Sequence, residues 1–216
     1  IDICKKYSVP YFILGNGSNL LVKDGGYRGV IIQIFKNMNN VTIEDDKVYA
    51  QSGALLVKVA NEALDKSLEG FEFAHGIPGT VGGAVYMNAG AYGGEIKHVL
   101  IYADVLDKDG NLKRLSNEEL ELGYRTSRVQ TDNMIVLGAC FQLRKGNYNT
   151  IKEKMQDLAH RRRTKQPLTM PSAGSTFKRP PGYFAGKLIM DSDLRGCRIG
   201  DAAVSEKHCG FIVNLG

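Results

Sequence analysis

The chain has 216 residues, 43% of them hydrophobic and 24% charged, a globular composition that excludes a disordered or collagen-like chain. Its net charge of +5 is too small to indicate nucleic-acid binding by itself, and no apolar run of about 18 residues predicts a membrane span. The unusual feature is its 25 glycines, of which five fall within residues 15–29 and seven within residues 76–94. Glycine gives up side-chain contacts and costs backbone entropy. Both stretches are therefore predicted to turn tightly or to approach a ligand closely.

The elements of the N-terminal half are predicted from apolar patterning. Short apolar runs bounded by Gly, Asn or Asp predict strands over residues 9–14, 30–34 and 48–51. Helical spacing of apolar residues predicts a helix over residues 54–68 with this buried stripe: Leu56, Val59, Ala60, Ala63 and Leu64. The stretch that follows is apolar but too rich in glycine for a helix.

The C-terminal half continues the mixture, which is typical of an α+β fold. A turn at residues 107–110 predicts a hairpin of strands 99–106 and 111–115, and the Ser116/Glu119 spacing predicts a short capped helix. The remaining predicted elements are a strand at 134–143, a helix at 150–163 (buried stripe Ile151, Met155, Leu158, Ala159), a short helix near 186–192 and a strand at 211–213. Residues 145–149 are the predicted boundary between a larger unit, 1–148, and a smaller one, 149–216.

Both chain ends are expected to be cut from a longer protein. The sequence does not begin with Met, carries no signal-peptide pattern and stops directly after an apolar run. The four cysteines lack CxxC spacing, so reduced thiols in a cytoplasmic protein are expected. A zinc site at Cys197, His208 and Cys209 would have the wrong spacing, so no metal is expected.

The first glycine stretch opens directly after the first predicted strand. It departs from the dinucleotide-binding fingerprint because Leu20 stands at the third glycine position and no helical pattern follows. Free backbone N–H groups with Ser and Asn side chains favour a pyrophosphate-binding loop, and a plain tight turn is the alternative. The second stretch leaves backbone bare enough for a large flat ligand, or else forms a glycine-kinked pair of buried strands.

Two single residues are candidates for chemistry. Arg125, among hydroxyl residues, has the bidentate geometry for a carboxylate or phosphate, although a surface arginine is the default interpretation. Ser175 lies in a loop rich in proline and glycine, where GxSxG is absent because Ala173 and Phe177 fill the glycine positions. Without an evident His–Asp partner, this serine is expected to donate a proton rather than attack, or else to be a turn residue.

Five motifs in this order make the chain resemble the UDP-N-acetylenolpyruvoylglucosamine reductase family: GNGSNLLV, AHGIPGTVGGAVYMNAGAYGG, GYRTSR, RRTKQP and PSAGSTFKRP. The resemblance covers essentially the whole chain. It implies an FAD-binding region of the vanillyl-alcohol oxidase type, with two subdomains, over 1–148, and a substrate-binding domain over 149–216. It also implies that NADPH reduces FAD, that C3 of the enolpyruvyl group receives a hydride and that a serine protonates C2.

The resemblance also implies roles for individual residues. Ser175 is implied as the proton donor and Arg125 as the group that polarises the substrate carboxylate. Arg162, Lys165 and Arg179 are implied in binding the UDP-sugar. The implied FAD contacts are Gly15, Asn16, Gly17, Ser18, Asn19, Leu20, Gly76, Ile77, Pro78, Gly79, Thr80, Val81, Gly82, Gly83, Asn88, Gly90, Ala91 and Tyr92.

The chain departs from the family pattern at several points. The family's catalytic glutamate lies in a later segment that this sequence does not reach, so the chain as printed is expected to turn over poorly. Arg179 stands where some members have asparagine. The sequence between Ala139 and Lys152 is too short for the inserted tyrosine loop that closes over the substrate in one subclass, so we expect the subclass without it. Tyr183 is therefore not expected to close over the substrate.

The partners expected from the resemblance are the UDP-sugar and NADPH, with no nucleic acid and no membrane. The protein is expected to be monomeric, to lie in the cytoplasm and to act in peptidoglycan synthesis. One alternative is another FAD-dependent oxidoreductase of the same fold acting on an alcohol or sugar. Many of these attach flavin covalently, and His75 precedes the second glycine stretch. A nucleic-acid module built on residues 161–165 is a second alternative, but it leaves both glycine stretches unexplained.

Overall fold

The computed structural model describes residues 1–216 except for the side chain of Ala173, and it divides into two units. The first unit comprises Ile1–Gly17 and Gly26–Leu158, and the second comprises Ser18–Gly25 and Ala159–Gly216. In chain order the first elements are α1 (Asp2–Lys6), β1 (Tyr11–Leu14), β2 (Val30–Gln33), β3 (Val41–Glu44), β4 (Lys47–Gln51), α2 (Leu56–Asp65), β5 (Leu68–Glu69), α3 (Val81–Tyr86), β6 (Gly90–Ala91), β7 (Gly94–Glu95) and β8 (Leu100–Leu106). The remainder are β9 (Leu112–Ser116), α4 (Arg128–Thr131), β10 (Ile135–Gln142), β11 (Arg144–Lys145), α5 (Tyr148–Lys165), β12 (Ser172–Ser175), α6 (Ala185–Asp191), β13 (Arg198–Ile199), β14 (Ala202–Val204) and β15 (Phe211–Asn214).

A five-stranded antiparallel sheet, in the order β3-β4-β10-β8-β9, carries the core of the first unit. Its central strand β10 presents the buried Ala139 and Phe141 to the core, alternating with Cys140, which pairs in register with Tyr49 and Tyr102. The predicted stripe of α2 is buried at all five positions. Burial of this stripe joins helix to core and stabilises both, because apolar area removed from water is the main favourable term.

Most predicted elements are present, which confirms the α+β expectation. The hairpin of β8 and β9 forms around residues 107–110, and α5 and α6 form with slightly different ends from those predicted. In α5 the predicted stripe is buried at Ile151 and Met155 and only half-buried at Leu158 and Ala159. Strand β3, which the apolar pattern did not single out, completes the edge of the sheet.

The prediction that the second glycine stretch is free of helix is wrong, because α3 contains Gly82 and Gly83. Each glycine costs a helix up to about 1 kcal/mol relative to alanine. Tertiary contact outweighs this cost. The Gly82 N–H donates to the Ser52 carbonyl at 2.8 Å, and a Cβ on Gly82 would lie only 2.9 Å from Ser52 Cβ.

The predicted helix after Ser116 is also wrong, although its capping bonds exist. The Ser116 N–H donates to Glu119 Oε2 at 2.8 Å and the Glu119 N–H donates to Ser116 Oγ at 3.2 Å. The chain then turns instead of continuing as a helix. In a continuing helix the Leu120 carbonyl would accept the N–H of residue 124. Here it accepts the N–H of Arg128 at 2.8 Å instead.

The second unit is built on a four-stranded antiparallel sheet in the order β12-β15-β14-β13. Its buried apolar residues include Ala203, Cys209, Phe211 and Val213. The unit begins within α5, after Leu158. The boundary predicted between residues 148 and 149 coincides with the start of that helix and stays a prediction. All four cysteines in the described structure are free.

Candidate active site

The first glycine stretch lies against the second one inside the first unit. The Asn16 Nδ2 donates to the Pro78 carbonyl at 2.8 Å. Gly15 leaves no room for a Cβ, which would overlap the hydroxyl of Thr80, and Gly17 has a left-handed φ of 72°. Only glycine allows this close approach at residue 15, because any side chain would push the two stretches apart.

Ser18, Asn19 and Leu20 continue the first stretch and belong to the second unit. All three side chains are exposed. Within the described residues, no hydrogen bond engages the Ser18 hydroxyl or the Asn19 amide, so both polar side chains are accessible to a ligand.

The second glycine stretch enters α3 through a buried Thr80, which is 2% exposed. The backbone is tied down on both sides, since the Val81 N–H donates to the Ala54 carbonyl at 2.9 Å and the Leu56 N–H donates to the Gly79 carbonyl at 3.0 Å. Gly83 faces outward, and the only atom near the position of a Cβ is Thr80 Oγ1 at 3.8 Å. The stretch therefore holds bare backbone in a fixed position with an open side.

Strands β6 and β7 close this stretch as a tight hairpin. Tyr92 at its tip is exposed and left-handed, with φ 53°. A Cβ on Gly90 would lie 2.7 Å from the Gly94 carbonyl oxygen, and one on Gly94 would lie 2.6 Å from Phe73 Cβ. Gly90 is thus required by the hairpin itself, and Gly94 by the packing of the hairpin against Phe73.

Asn88, predicted as a cofactor contact, has its side chain inside the protein. It is 1% exposed, and Nδ2 donates to Glu95 Oε2 at 3.0 Å and to the Gly123 carbonyl at 2.9 Å. Oδ1 accepts the N–H of Lys97 at 3.0 Å. A cofactor role for Asn88 stays a prediction, and the observed contacts are those of a residue that holds loops together.

Arg125 lies in a turn closed by the antiparallel bridge between Gly123 and Thr126. It is left-handed, with φ 56°, and half-buried. Its Nη2 donates to the Gly90 carbonyl at 3.3 Å, and its guanidinium carbon lies 5.5 Å from the ring centre of Tyr124. The structure therefore brings the predicted arginine to the second glycine stretch.

Ser175 ends strand β12 of the second unit, opposite Phe211 of β15. Its side chain is exposed, and the next residue, Thr176, donates its N–H to the Gly210 carbonyl at 2.9 Å. A Cβ on Gly210 would lie 3.2 Å from Ser175 Oγ and 3.1 Å from His208 Nδ1. The hydroxyl and the imidazole thus flank one glycine, a relation that the sequence motif did not predict.

The predicted substrate residues lie on α5 and after β12. Arg162 is half-buried and Lys165 is exposed in the last turn of α5. Arg163 is the third basic residue of this last turn. Lys207 Nζ donates to the Arg163 carbonyl at 2.6 Å and so adds a fourth basic side chain to this end of the helix. Arg179 stacks over the ring of Phe184 with 4.8 Å to its centre.

Bare backbone of this kind fits a large flat cofactor such as FAD. Glycines 15 and 82 exclude a Cβ because the chain packs closely there, whereas Gly83 leaves space above the backbone. The buried Ser52 hydroxyl has no hydrogen-bond partner among the described residues. A buried unpaired hydroxyl is rare in native proteins, and a bound polar group would satisfy it.

His75, considered as a point of covalent flavin attachment, is half-buried beside Gly76. Burial lowers the pKa of its imidazole, so the ring is neutral at physiological pH. Within the described residues, no three His, Cys, Asp or Glu side chains are grouped to hold a metal ion. No described helix has both the length and the apolar character needed to cross a bilayer.

Sequence reasoning missed the residues that connect these parts. Ser127 is 2% exposed and donates its hydroxyl to the Tyr86 carbonyl at 2.7 Å. Glu95 and Ser52 were not singled out either. Tyr86, the partner of Ser127, is 41 positions away in the chain, and Ser52 contacts Gly82 about 30 positions later, whereas Glu95 bonds Asn88 only seven positions away.

Comparison with known proteins agrees with this arrangement. Residues 1–116 match the FAD binding domain model, and residues 166–216 match that of the UDP-N-acetylenolpyruvoylglucosamine reductase C-terminal domain. A UDP-N-acetylenolpyruvoylglucosamine reductase of Clostridium perfringens is 59% identical over 216 residues, covering 100% of this chain and 71% of the relative. The corresponding protein of Clostridium novyi is 58% identical, covering 100% of this chain and 70% of that protein.

A solved structure gives the same result. The crystal structure of UDP-N-acetylenolpyruvylglucosamine reductase from Thermus caldophilus matches with a TM-score of 0.84 and 36% identity, covering 100% of this chain and 78% of that chain. These relatives carry the name of the reductase and not of an alcohol or sugar oxidase. The chain belongs to the UDP-N-acetylenolpyruvoylglucosamine reductase family.

Proposed function

We propose that this protein reduces UDP-N-acetylglucosamine enolpyruvate to UDP-N-acetylmuramate, with FAD as cofactor and NADPH as co-substrate. The observation that carries the proposal is the bond from Arg125 Nη2 to the Gly90 carbonyl, 3.3 Å long, which fixes a cation at the glycine-rich stretch. A fixed cation there suits a substrate with a carboxylate beside the reacting double bond.

The reaction adds a hydride to C3 and a proton to C2 of the enolpyruvyl group, while NADPH is oxidised to NADP⁺. When bound, FAD that NADPH has reduced would supply the hydride. Negative charge develops toward the substrate carboxylate as the hydride arrives, and Arg125 stabilises that charge. Its guanidinium is always protonated and matches a carboxylate with two parallel N–H groups. A cation fixed before the reaction has no reorganisation cost during it.

Ser175 donates the proton to C2. An isolated hydroxyl is a weak acid, so the serine needs polar neighbours that stabilise its deprotonated form. The strand pairing of β12 with β15 fixes its backbone, and its exposed side chain leaves it accessible to a substrate. His208, on the other side of Gly210, is the titratable neighbour that the structure adds to the motif.

Arg162, Lys165 and Arg179 bind the UDP part of the substrate. The last turn of α5 is basic, which suits a diphosphate because each phosphate oxygen accepts charge-assisted hydrogen bonds. The glycine stretches bind FAD through backbone that carries no side chain, including Gly83, whose Cβ position is open. The finer roles of these residues rest on the motif match and on this chemistry.

The biological setting follows from the product. UDP-N-acetylmuramate is a precursor of peptidoglycan, so the protein acts in cell-wall synthesis and thereby in cell shape and division. A nucleotide-linked substrate and NADPH place the reaction in the cytoplasm. We propose that the protein binds no nucleic acid, because the net charge is only +5 and the basic residues serve the diphosphate, and the monomer stays a prediction.

Stopped-flow spectroscopy of the two half-reactions tests this proposal. In the complete protein, Ser175→Ala is expected to leave flavin reduction by NADPH unchanged and to slow substrate reduction by about 100-fold or more, the usual size of a general-acid contribution. Ser172→Ala is the matched control, since Ser172 lies in the same strand and only caps the Gly174 N–H at 3.3 Å. Equal loss in both half-reactions would overturn the role of Ser175.

A further inference from the structure

We propose that Asn88 is a positioning residue that, together with Ser127, holds Arg125 in its catalytic orientation. The inference rests on the proposed role of Arg125 and extends it to residues that do not touch the substrate. Asn88 and Ser127 attach the two ends of the arginine turn, residues 123–126, to the second glycine stretch.

Asn88 uses its amide almost completely for this purpose. Both Nδ2 hydrogens are engaged, one with Glu95 Oε2 at 3.0 Å and one with the Gly123 carbonyl at 2.9 Å. Oδ1 accepts the Lys97 N–H at 3.0 Å. The residue itself is 1% exposed, so these contacts hold its side chain inside the protein, although Lys97 and Glu95 reach the surface.

The Gly123 carbonyl is the start of the arginine turn. Gly123 and Thr126 pair through N–H···O bonds of 3.1 and 3.4 Å, and Arg125 lies between them. Asn88 therefore fixes the first residue of the turn against a segment that also contains Gly90, the acceptor of the Arg125 guanidinium.

Ser127 fixes the other end of the turn. Its hydroxyl donates to the Tyr86 carbonyl at 2.7 Å, and the residue is 2% exposed. Both ends of the turn are thus attached to residues 86–88. The guanidinium of Arg125, which lies between those ends, is bonded to Gly90 of the same stretch. The part-buried hydrogen bonds at both ends of the turn and at the guanidinium restrict the direction of the arginine.

The backbone shows why such support is needed. Asn88 and Arg125 are both left-handed, with φ of 40° and 56°. Residues other than glycine remain in that region only where the surroundings fix them, and such positions are concentrated at functional sites. Asparagine tolerates it better than most residues, whereas arginine does not share that advantage.

Glu95 completes the attachment because its carboxylate accepts a hydrogen bond from Asn88 and stays charged. Burial raises the pKa of its carboxyl, but hydrogen bonds from Lys97 and Asn88 outweigh this and bring the pKa below its usual value. Lys97 Nζ lies 3.2 Å from Glu95 Oε2. The carboxylate therefore stays ionised and continues to orient the Asn88 amide at neutral pH.

Two substitutions separate the hydrogen bonds from the backbone. Asn88→Gly removes the whole side chain and tolerates the left-handed φ, whereas Asn88→Asp keeps the size and the acceptor for Lys97 but loses both donors and repels Glu95. Each is expected to slow substrate reduction by about 10- to 100-fold, the effect of a displacement of about 1 Å at a reacting group. Flavin reduction by NADPH is expected to stay unchanged.

The control is Asn147→Ala, which removes an exposed cap of α5 that accepts the Asn149 and Thr150 N–H groups at 3.0 and 3.2 Å. It lowers stability without touching the arginine turn, so both half-reactions should keep their rates. Ser127→Ala breaks the other attachment and should reproduce the selective loss. It keeps the proposal testable if both Asn88 variants fail to fold.

Combination with Arg125→Ala decides between direct and indirect action. If Asn88 acts through Arg125, Asn88→Gly will have little further effect on substrate reduction once the guanidinium is gone. Full additivity of the two losses would overturn the inference. If Arg125→Ala slows substrate reduction but neither the Asn88 variants nor Ser127→Ala do, the positioning role is wrong and the proposed function stands. If Arg125→Ala itself has no effect, the proposed function fails first.

Discussion

The Asn16 amide donates a hydrogen bond to the Pro78 carbonyl at 2.8 Å, joining two glycine stretches whose contact residues are 62 positions apart. The same approach places Gly15 against Thr80. Neither stretch forms this arrangement alone. A cofactor that lies along both must therefore bind a backbone shape that exists only after the first unit has folded.

Asn16→Ala should weaken FAD binding because the two stretches lose this bond. One hydrogen bond contributes about 0.5–1.5 kcal/mol net, so the dissociation constant for FAD should rise roughly 2- to 10-fold. Titration of the apoprotein with FAD, followed by quenching of flavin fluorescence, measures it. Asn61→Ala, on the exposed face of α2, is the control. An unchanged constant for Asn16→Ala would mean that the bond does not shape the site.

Gly82→Ala and Gly83→Ala form a matched pair within α3. A methyl on Gly82 would lie 2.9 Å from Ser52 Cβ, so Gly82→Ala should destabilise the protein by about 1–3 kcal/mol, the usual cost of overpacking. Gly83 has space, and alanine there should stabilise the protein without FAD by up to about 1 kcal/mol. Urea unfolding of the apoprotein measures both differences.

The same pair tests the cofactor site. If FAD lies against the open side of Gly83, Gly83→Ala should raise the dissociation constant for FAD while it raises apoprotein stability. These opposite signs cannot arise from a general loss of folding. A variant that is more stable and binds FAD as tightly as the parent would show that the cofactor does not approach Gly83.

Gly210→Ala should impair proton donation by Ser175. Its methyl would lie 3.2 Å from Ser175 Oγ and 3.0 Å from His208 Cε1, so one of the two side chains must move. Substrate reduction should slow, while flavin reduction by NADPH should not. Ile212→Val, a small change in the strand β15 that follows Gly210, is the control, since deletion of one methyl there should disturb neither side chain. Equal rates for Gly210→Ala and the control would contradict the prediction.

Features set by residues close together in the chain could be predicted from the sequence, whereas those set by distant contacts could not. The stripe of α2 was predicted at all five positions because helical spacing is a property of adjacent turns. The motifs containing Arg125 and Ser175 were recognised by order and type. Helix α3 was missed because its Gly82 is held by Ser52, about 30 residues earlier, and no local pattern records that contact.

The attachment of the arginine turn shows the same limit within the site. Asn88 was noticed as part of a motif, but its partner Gly123 is 35 positions away, and the partner of Ser127 is 41 positions away. A side chain with three hydrogen bonds inside the protein looks in the sequence like one that contacts a ligand. Only the fold distinguishes the two, because burial and partners are set by tertiary packing.

Asp107 should make the free energy of unfolding of the first unit depend on pH in the acid range. Hydrogen bonds from Lys113 and from the Asn111 and Asp109 backbone hold the pKa of its carboxyl well below the usual value. The Lys113 Nζ lies 2.8 Å from Asp107 Oδ2. The folded state thus keeps this carboxylate ionised, whereas the unfolded chain takes up a proton near an ordinary pKa of about 3.9. Stability from Asp107 is present above that pH and is lost as the pH falls below it.

Asp107→Asn removes the titrating group, so the comparison isolates it from the other carboxylates. The urea midpoint of the parent should exceed that of the variant at pH 7, and the difference should shrink as the pH falls from about 4 toward 2. Circular dichroism at several pH values measures both midpoints. A difference that stays constant over this range would show that Asp107 keeps an ordinary pKa, and that the Lys113 pair contributes no differential protonation to the hairpin of β8 and β9.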